Sequence, residues 1–442
     1  MTAAHAPLLR GAVRSLELVA IVAVASAVAA LGQRLGADSL VAVPVACLVG
    51  LGLFSGWQPL FLLRSGLRSA VPAAVLLLAA SFSWSYTGYL TAAGAATPSV
   101  RTGDWMRDHG MNPIVDRLEQ YLYSGKGPAN GPLSAAQLPN VTSASGRRGV
   151  LAPAGAKTRL VEPPSPVGGL IDQRLPMEGQ WVPNTRTVAG VPVTYTTFFR
   201  PDPAHDNVVA SAVWLDPSRT RLTYVPGIKE SHGFSWDWGS GVPLTKRHSL
   251  VAAFNGGFMF KDTPGGEFAE GRTPYSLTPG QASLVIYKNG RVQVGAWGSE
   301  VSMTPSVESV RQNLKLLVDG GKPVSGILTS NGREWGKKLW QLQYTNRSGV
   351  GITRSGALVY LAGANLSTRT LAQALAQVGA VRGMELDIHA SNPTFNFFTP
   401  GPGPDEVFGT KLYPAMRSKS SRFLAPDQRD FFAVTLAAPV AQ

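Results

Sequence analysis

The sequence predicts an α+β chain in which a mixed, sheet-rich, extracytoplasmic domain follows about three transmembrane helices. Three observations predict this. The first hundred residues hold three long stretches without charge, the next seventy drift to Gly, Pro, Ala and Ser, and the rest sets β-branched and aromatic runs between turn residues. A chain of 442 residues has room for two or three folded units.

The uncharged stretches come first in the chain. Glu17 is followed by LVAIVAVASAVAALGQ with no charge before Arg34, a second stretch runs from Ser39 to Leu63, and a third runs from Ser69 to Val100. With the first run extended back through Leu16, each gives about the 20 apolar residues that a membrane-spanning helix needs. The spans fall at about 12–33, 40–60 and 69–92, within a transmembrane region of residues 1–95. Arg10, Arg14, Arg64 and Arg68 flank them on the side that should face the cytoplasm. The lipid bilayer is then a partner, and the C-terminal domain of a multi-pass membrane protein lies outside. A cleaved leader in place of the first span would leave two anchors, and a buried helical hairpin is the soluble alternative.

Residues 96–170 join anchor to domain. Spaced Ile114, Leu118 and Leu122 within 101–124 predict a short amphipathic juxtamembrane helix. The Pro/Gly/Ala-rich stretch that follows, with GKGPANGP and VEPPSPVGG, predicts a linker too poor in apolar surface to fold alone.

Residues 171–442 predict the sheet. The runs 191–199, 207–215 and 220–226 read as strands, and Asn289-Gly290 predicts a two-residue hairpin turn. Ser355-Gly356 repeats that logic. One helix is expected at 367–379, with Leu371, Leu375 and Val378 on one face, Ser367 as its cap and Gly379 as its stop. MELDIHAS (384–391) follows as a strand.

Composition excludes several kinds of chemistry. The lone Cys47 rules out an internal disulfide, a Cys-rich zinc site and a thiol mechanism. The net charge of +13 is spread thinly, without a basic block, which argues against nucleic acid. His109, His205, His232 and His248 lack ligand spacing. Excess Arg over Lys, with abundant Ala, Gly and Pro, suggests a GC-rich bacterial genome.

The candidate site residues fall in three segments. Asn255-Gly256-Gly257 ends an apolar run, where paired glycines would bring backbone amides to a ligand or form a tight turn. Glu267 and Glu270 follow in the same loop. Glu385, Asp387 and His389 alternate along a strand, and a period of two would gather two carboxylates and an imidazole on one face. They read as catalytic acid/base groups, as a site for a divalent metal, or as a solvated face. Arg347 offers a planar fork for phosphate. Trp236 and Trp238 either stack on a sugar or fill a core.

Taken in order, AAFNGGF (252–258), LLVDGGKPV (316–324), the Arg347 segment into GVGITRSGALVYLAG (349–363), LSTRTLAQALAQVGAV (366–381) and MELD (384–387) resemble the phosphodiester glycosidase family over roughly 171–437. The resemblance implies an extracytoplasmic hydrolase that splits a sugar from a phosphodiester, in a surface glycan or wall polymer. Asn255, Arg347 and Asp387 are its matching polar positions. Where the family strand ends Leu-Asp-Gly-Gly-Gly-Ser, this chain has Ile388, His389 and Ala390 in place of the glycines, so a loop of different build is expected. The alternatives are a glycopolymer-binding domain without catalysis and a metal-dependent phosphodiesterase using Glu385, Asp387 and His389.

Overall fold

The computed structural model describes residues 67–92, 98–118 apart from 112 and 116, 127–128, 131–139, and 164–437 apart from 231, 330–333, 337–342 and 390–391. The first two predicted spans lie outside these residues. The described residues fall into two compact units, one of 67–92 with 98–110 and one running from 111 onward.

The first unit is a helix pair, α1 (Leu67–Thr91) and α2 (Pro98–Asp108). α1 coincides with the third predicted span. Its C-terminal half carries Ser81, Ser83, Ser85, Thr87 and Thr91, and no helix among the described residues is long and apolar enough to cross a membrane. Buried Trp105 locks the pair, donating to Ser85 Oγ at 2.9 Å with its ring against Phe82 and Tyr86. Arg101 donates to the carbonyls of Tyr89, Leu90 and Ala92 and so satisfies the C-terminal end of α1. The amphipathic helix expected over 101–124 is interrupted after Asp108, where Gly110 takes φ 77°, and helix resumes at 113–115 and 117–118, with Val115 buried and Ile114 and Leu118 exposed.

Among the described residues the second unit holds twenty strands. In chain order they are β1 (Val182–Pro183), β2 (Thr187–Val188), β3 (Val191–Pro192), β4 (Thr194–Phe199), β5 (Ala210–Leu215), β6 (Thr220–Val225) and β7 (Leu250–Asn255). Next come β8 (Glu267–Ala269), β9 (Arg272–Tyr275), β10 (Ala282–Tyr287), β11 (Val292–Ala296), β12 (Val307–Gln312), β13 (Leu316–Asp319) and β14 (Lys322–Pro323). The rest are β15 (Thr345–Thr353), β16 (Leu358–Leu366), β17 (Ala380–Ile388), β18 (Phe395–Pro400), β19 (Val407–Lys411) and β20 (Phe431–Leu436). The helix α3 (Thr368–Gln377) lies between β16 and β17.

An antiparallel central sheet runs β1-β4-β5-β16-β15-β17-β13-β14, and two five-stranded sheets run β11-β10-β12-β8-β9 and β19-β18-β7-β20-β6. The main core lies where all three meet: Val213 and Leu215, Leu358 and Tyr360, and Met384 and Leu386 of the central sheet join Leu284 of β10 and Phe432 of β20. Alternate residues Ala212, Trp214, Val359 and Leu361 instead face Leu371 and Leu375 of α3. Burial on both faces explains why these strands read as unbroken apolar runs.

Local signals fold as their chemistry requires. Ser367 Oγ accepts from Thr370 N–H while Thr370 Oγ1 accepts from Ser367 N–H, a reciprocal cap, and Gly379 ends α3 at φ 87°. The hairpins at Asn289-Gly290 and Ser355-Gly356 have three-residue loops in place of the expected two. Among the described residues only the glycines take positive φ there, at 86° and 85°, because Tyr287 and Thr353 donate to the carbonyls of Arg291 and Ala357. The composition-based linker is partly built in: Leu133 and Leu138 pack on Val182, Phe198 and Val209, and Val167 donates to Gly179 at 2.8 Å.

Candidate active site

Strand β17 brings the site together by breaking its own period. Opposite β15, Arg347 pairs with Ile388 and Gly349 with Glu385, so Ser348 faces both Leu386 and Asp387 across a bulge. The expected single face of Glu385, Asp387 and His389 therefore does not form. Glu385 stays on the side of Arg347 and Gly349, toward α3, where a side chain on Gly349 would meet Leu371 and Leu375. Asp387 instead meets the ends of β7 and β20, its N–H donating to Gly256 at 3.0 Å.

Two arginines answer the two carboxylates. Arg347 Nη1 binds Glu385 Oε1 at 2.5 Å, both side chains with no exposed surface, and its remaining nitrogens donate to Leu366 and Gln343 carbonyls. The fork that the sequence offered to a phosphate is engaged by protein groups in this structure. Arg429 Nη2 binds Asp387 Oδ2 at 2.7 Å and the Gly257 carbonyl at 3.1 Å, and this pair keeps 13% and 10% of its side-chain surface open. Burial pushes Asp387 up to about 6, against the pull of Arg429 and the Ile388 amide. Burial likewise raises Glu385 against Arg347.

Asn255-Gly256-Gly257 is engaged in scaffold contacts. Asn255 is buried and spends its amide on Gly256 and Ser348 while accepting from Tyr360 and the Thr394 N–H, which ties β7 to β15 and β16. The Gly256 and Gly257 amides donate to Asp430, at 3.0 Å to its carbonyl and 3.3 Å to its carboxylate. A side chain on Gly256 would collide with that carboxylate, and one on Gly257 would come within 3.0 Å of the Arg311 guanidinium. Both glycines are needed so that the buried Arg311–Asp430 pair, 2.8 Å apart, can pack there.

Around this pair lies an acidic group that pattern reading did not assemble. Glu267 accepts from Tyr224 Oη, and burial pushes it up to about 7, although Tyr224 and Arg311 pull it down. Glu230, half-buried, accepts the Phe260 N–H at 2.7 Å and is raised by burial, with Arg429 and Arg311 opposing. Ile228 and Lys229 donate to the carbonyls of Asp427 and Gln428, which sets Glu230 beside Arg429. Burial disfavours the Arg311 cation, but Asp430, Tyr224 and Glu230 together outweigh it and keep the guanidinium charged. Glu270 sits apart on the β8–β9 turn, accepting Asp237 N–H at 2.9 Å. Its acid is raised by burial.

His389 adopts φ 77°, a left-handed conformation open to glycine that histidine tolerates better than most residue types. Its N–H donates to Asn346. Ala390 and Ser391 lie outside the described residues. Among the described residues no three His, Cys, Asp or Glu side chains gather as metal ligands, and the bulge explains why Glu385, Asp387 and His389 do not.

The family comparison covers most of these segments. Residues 248–387 match the family model described as phosphodiester glycosidase, so the chain resembles that family from just before β7 to the end of β17. Among solved structures, it is similar to the zebrafish N-acetylglucosamine-1-phosphodiester alpha-N-acetylglucosaminidase catalytic domain, auto-inhibited by its pro-peptide, at 14% identity and a TM-score of 0.38, over 57% of this chain and 85% of that one. A hypothetical protein from Synechocystis matches at 11% identity and TM-score 0.30, over 55% of this chain and 62% of that one. A putative exported protein from Burkholderia pseudomallei matches at 11% and 0.29, over 52% and 74%. No curated protein matches.

Proposed function

We propose that this chain is a membrane-anchored hydrolase that cleaves a glycosyl phosphodiester outside the cytoplasm, in a surface glycan or wall polymer. The observation that carries the reading is the Asp387–Arg429 pair: a carboxylate from the family-matched segment, beside a guanidinium, at a partly open edge of a largely buried ionic network. Breaking the anomeric C–O bond needs stabilisation of an oxocarbenium-like transition state and of the departing group. A phosphodiester departs as a weak base, so a cation serves it better than a proton donor does. Arg429 supplies that cation, and Asp387, ionised above about pH 6, activates water on the sugar side. Glu230, on the other side of Arg429, is the second carboxylate. Arg347 and Glu385 hold β17 in register. The three spans at about 12–33, 40–60 and 69–92, with their basic flanks inside, anchor the domain.

The test is hydrolysis of a panel of sugar 1-phosphodiesters by the full chain in ¹⁸O water. Label on the released sugar, lost in Asp387→Asn, supports glycosidic cleavage at this site. Label on phosphate together with sensitivity to chelators would replace it with a metal-dependent phosphodiesterase, and saturable binding without turnover would replace it with a glycopolymer-binding domain.

A further inference from the structure

A glycosyl phosphodiester also needs a seat for its sugar ring, and one surface beside the acidic group is built of ring faces. Phe260 stacks on Tyr275 with centroids 4.1 Å apart, and its other neighbour is the Arg311 guanidinium at 4.0 Å. His232 meets Tyr275 edge-on at 4.4 Å. Farther along the same loop Phe234 is 42% exposed, 5.8 Å from the Trp236 ring, and Arg272 lies 5.4 and 5.6 Å from those two rings. Trp236 is buried, yet its Nε1–H has no hydrogen-bond partner among the described residues.

Two contacts join this surface to the acid cluster. Glu230, two residues before His232, accepts the Phe260 N–H, and Lys229 donates to Gln428, the residue before Arg429. The ring faces and the exposed cation therefore lie on adjoining segments. Their chemistry selects the occupant. Exposed aromatic faces attract polarised C–H groups, whereas Arg272 and Glu270, themselves 4.0 Å apart and part-exposed, offer a planar donor and an acceptor. A purely apolar ligand would strand those charges, and a polyanion would meet Glu230, Asp237 and Glu270 together. A neutral ring with C–H groups on one face and hydroxyls at its rim satisfies both.

We infer that His232, Phe234, Arg272 and Tyr275 form a sugar subsite that seats the pyranose ring of the substrate while Arg429 holds its phosphate; this rests on the glycosidase reading above. It extends the substrate contacts to β9 and to a loop upstream of the family-matched segment. Phe234 replaces the buried Trp236 as the stacking ring, and Glu270 gains a rim role through Arg272.

The experiment measures binding apart from turnover. Glucose, galactose, mannose and N-acetylglucosamine 1-phosphates, with inorganic phosphate as the control, are titrated into the detergent-solubilised full chain by calorimetry, and ring contact is followed by saturation-transfer NMR. At least one sugar phosphate should bind more tightly than phosphate. Phe234→Ala should weaken it about tenfold and leave phosphate affinity unchanged, Phe234→Tyr should restore it, and Arg272→Ala should also weaken it. Sugar phosphates binding no better than phosphate, or affinity unmoved by both Phe234→Ala and Arg272→Ala, overturns the subsite. Diester hydrolysis is scored separately. Hydrolysis with KM indifferent to Phe234→Ala keeps the reaction and discards the subsite. Phe234-dependent binding in a chain that turns over no diester keeps the subsite and discards the reaction.

Discussion

Arg347–Glu385 and Asp387–Arg429 leave the same strand two residues apart, yet one pair is sealed and the other reaches solvent. Glu385 faces α3, and its arginine comes from the neighbouring strand with every bond turned inward. Asp387, displaced by the bulge, takes its arginine from the segment before β20, and that arginine keeps an open edge. An ion pair without exposed surface can hold a strand but cannot meet a substrate. Identity alone does not separate these roles. Two Arg–carboxylate pairs of similar length become scaffold and candidate machinery through burial and the direction each side chain leaves the sheet.

The sharpest way to break this comparison is to remove Arg347. Arg347→Met leaves the Glu385 carboxylate buried without its cation and should cost about 3–5 kcal/mol of stability in denaturant unfolding. Adding Glu385→Leu should recover most of that loss, since an apolar pair of similar volume needs no compensation. A cost below about 1 kcal/mol for the single variant would show that the pair is not scaffold. Asp387→Asn comes next. It should lower kcat by at least about a hundredfold with the fold intact by circular dichroism, as expected for loss of a general base. Unchanged turnover removes Asp387 from the mechanism.

The pH dependence distinguishes the two carboxylates on a smaller scale. Asp387 titrates at about 6 in the folded chain against an ordinary 3.8, so between these values the native state binds more protons than the unfolded state. Its contribution is fully present below about pH 4 and is lost as pH rises through about 6. The stability advantage of wild type over Asp387→Asn should therefore shrink by on the order of 1–3 kcal/mol across that window. An advantage that grows with pH would mean that Arg429, rather than burial, controls the group. Turnover should rise over the same range as the base ionises, so activity increases while this contribution to stability falls.

Much of the sheet was legible because its signals are local. The apolar runs of β5 and β16, Gly290 and Gly356 in their hairpins, and Ser367 before α3 each act within a few residues. Asn255, Glu385 and Asp387 stood out as polar residues in apolar strands. Their roles did not, because each role depends on partners far along the chain. Arg429 and Asp430 are more than 40 residues beyond Asp387 and carry no motif, although two opposite charges abutting the apolar FFAVTL hint at a strand end beside something ionic. The bulge at Leu386–Asp387 arises from pairing register, which the sequence of one strand does not state. The family pattern's glycines led to an expectation of altered backbone after Asp387, and there His389 takes φ 77°, a conformation that its side chain does not announce.

The smallest effect concerns what holds β17 from the other side. α3 packs Leu371 and Leu375 against the central sheet over Gly349 and Gly383, where any larger residue would crowd Leu375. Ser367 anchors the start of that helix through both halves of its reciprocal cap with Thr370, directly after the Leu366 carbonyl that accepts from Arg347. Ser367→Ala removes one half of the cap and should cost about 1 kcal/mol, with Ser367→Asp restoring it. Because the cap touches the sealed pair and not the open one, the loss should appear in the unfolding midpoint while KM and kcat stay within about twofold. A Ser367→Ala variant with normal stability but impaired turnover would couple the two ion pairs through α3 and end their separation into scaffold and site.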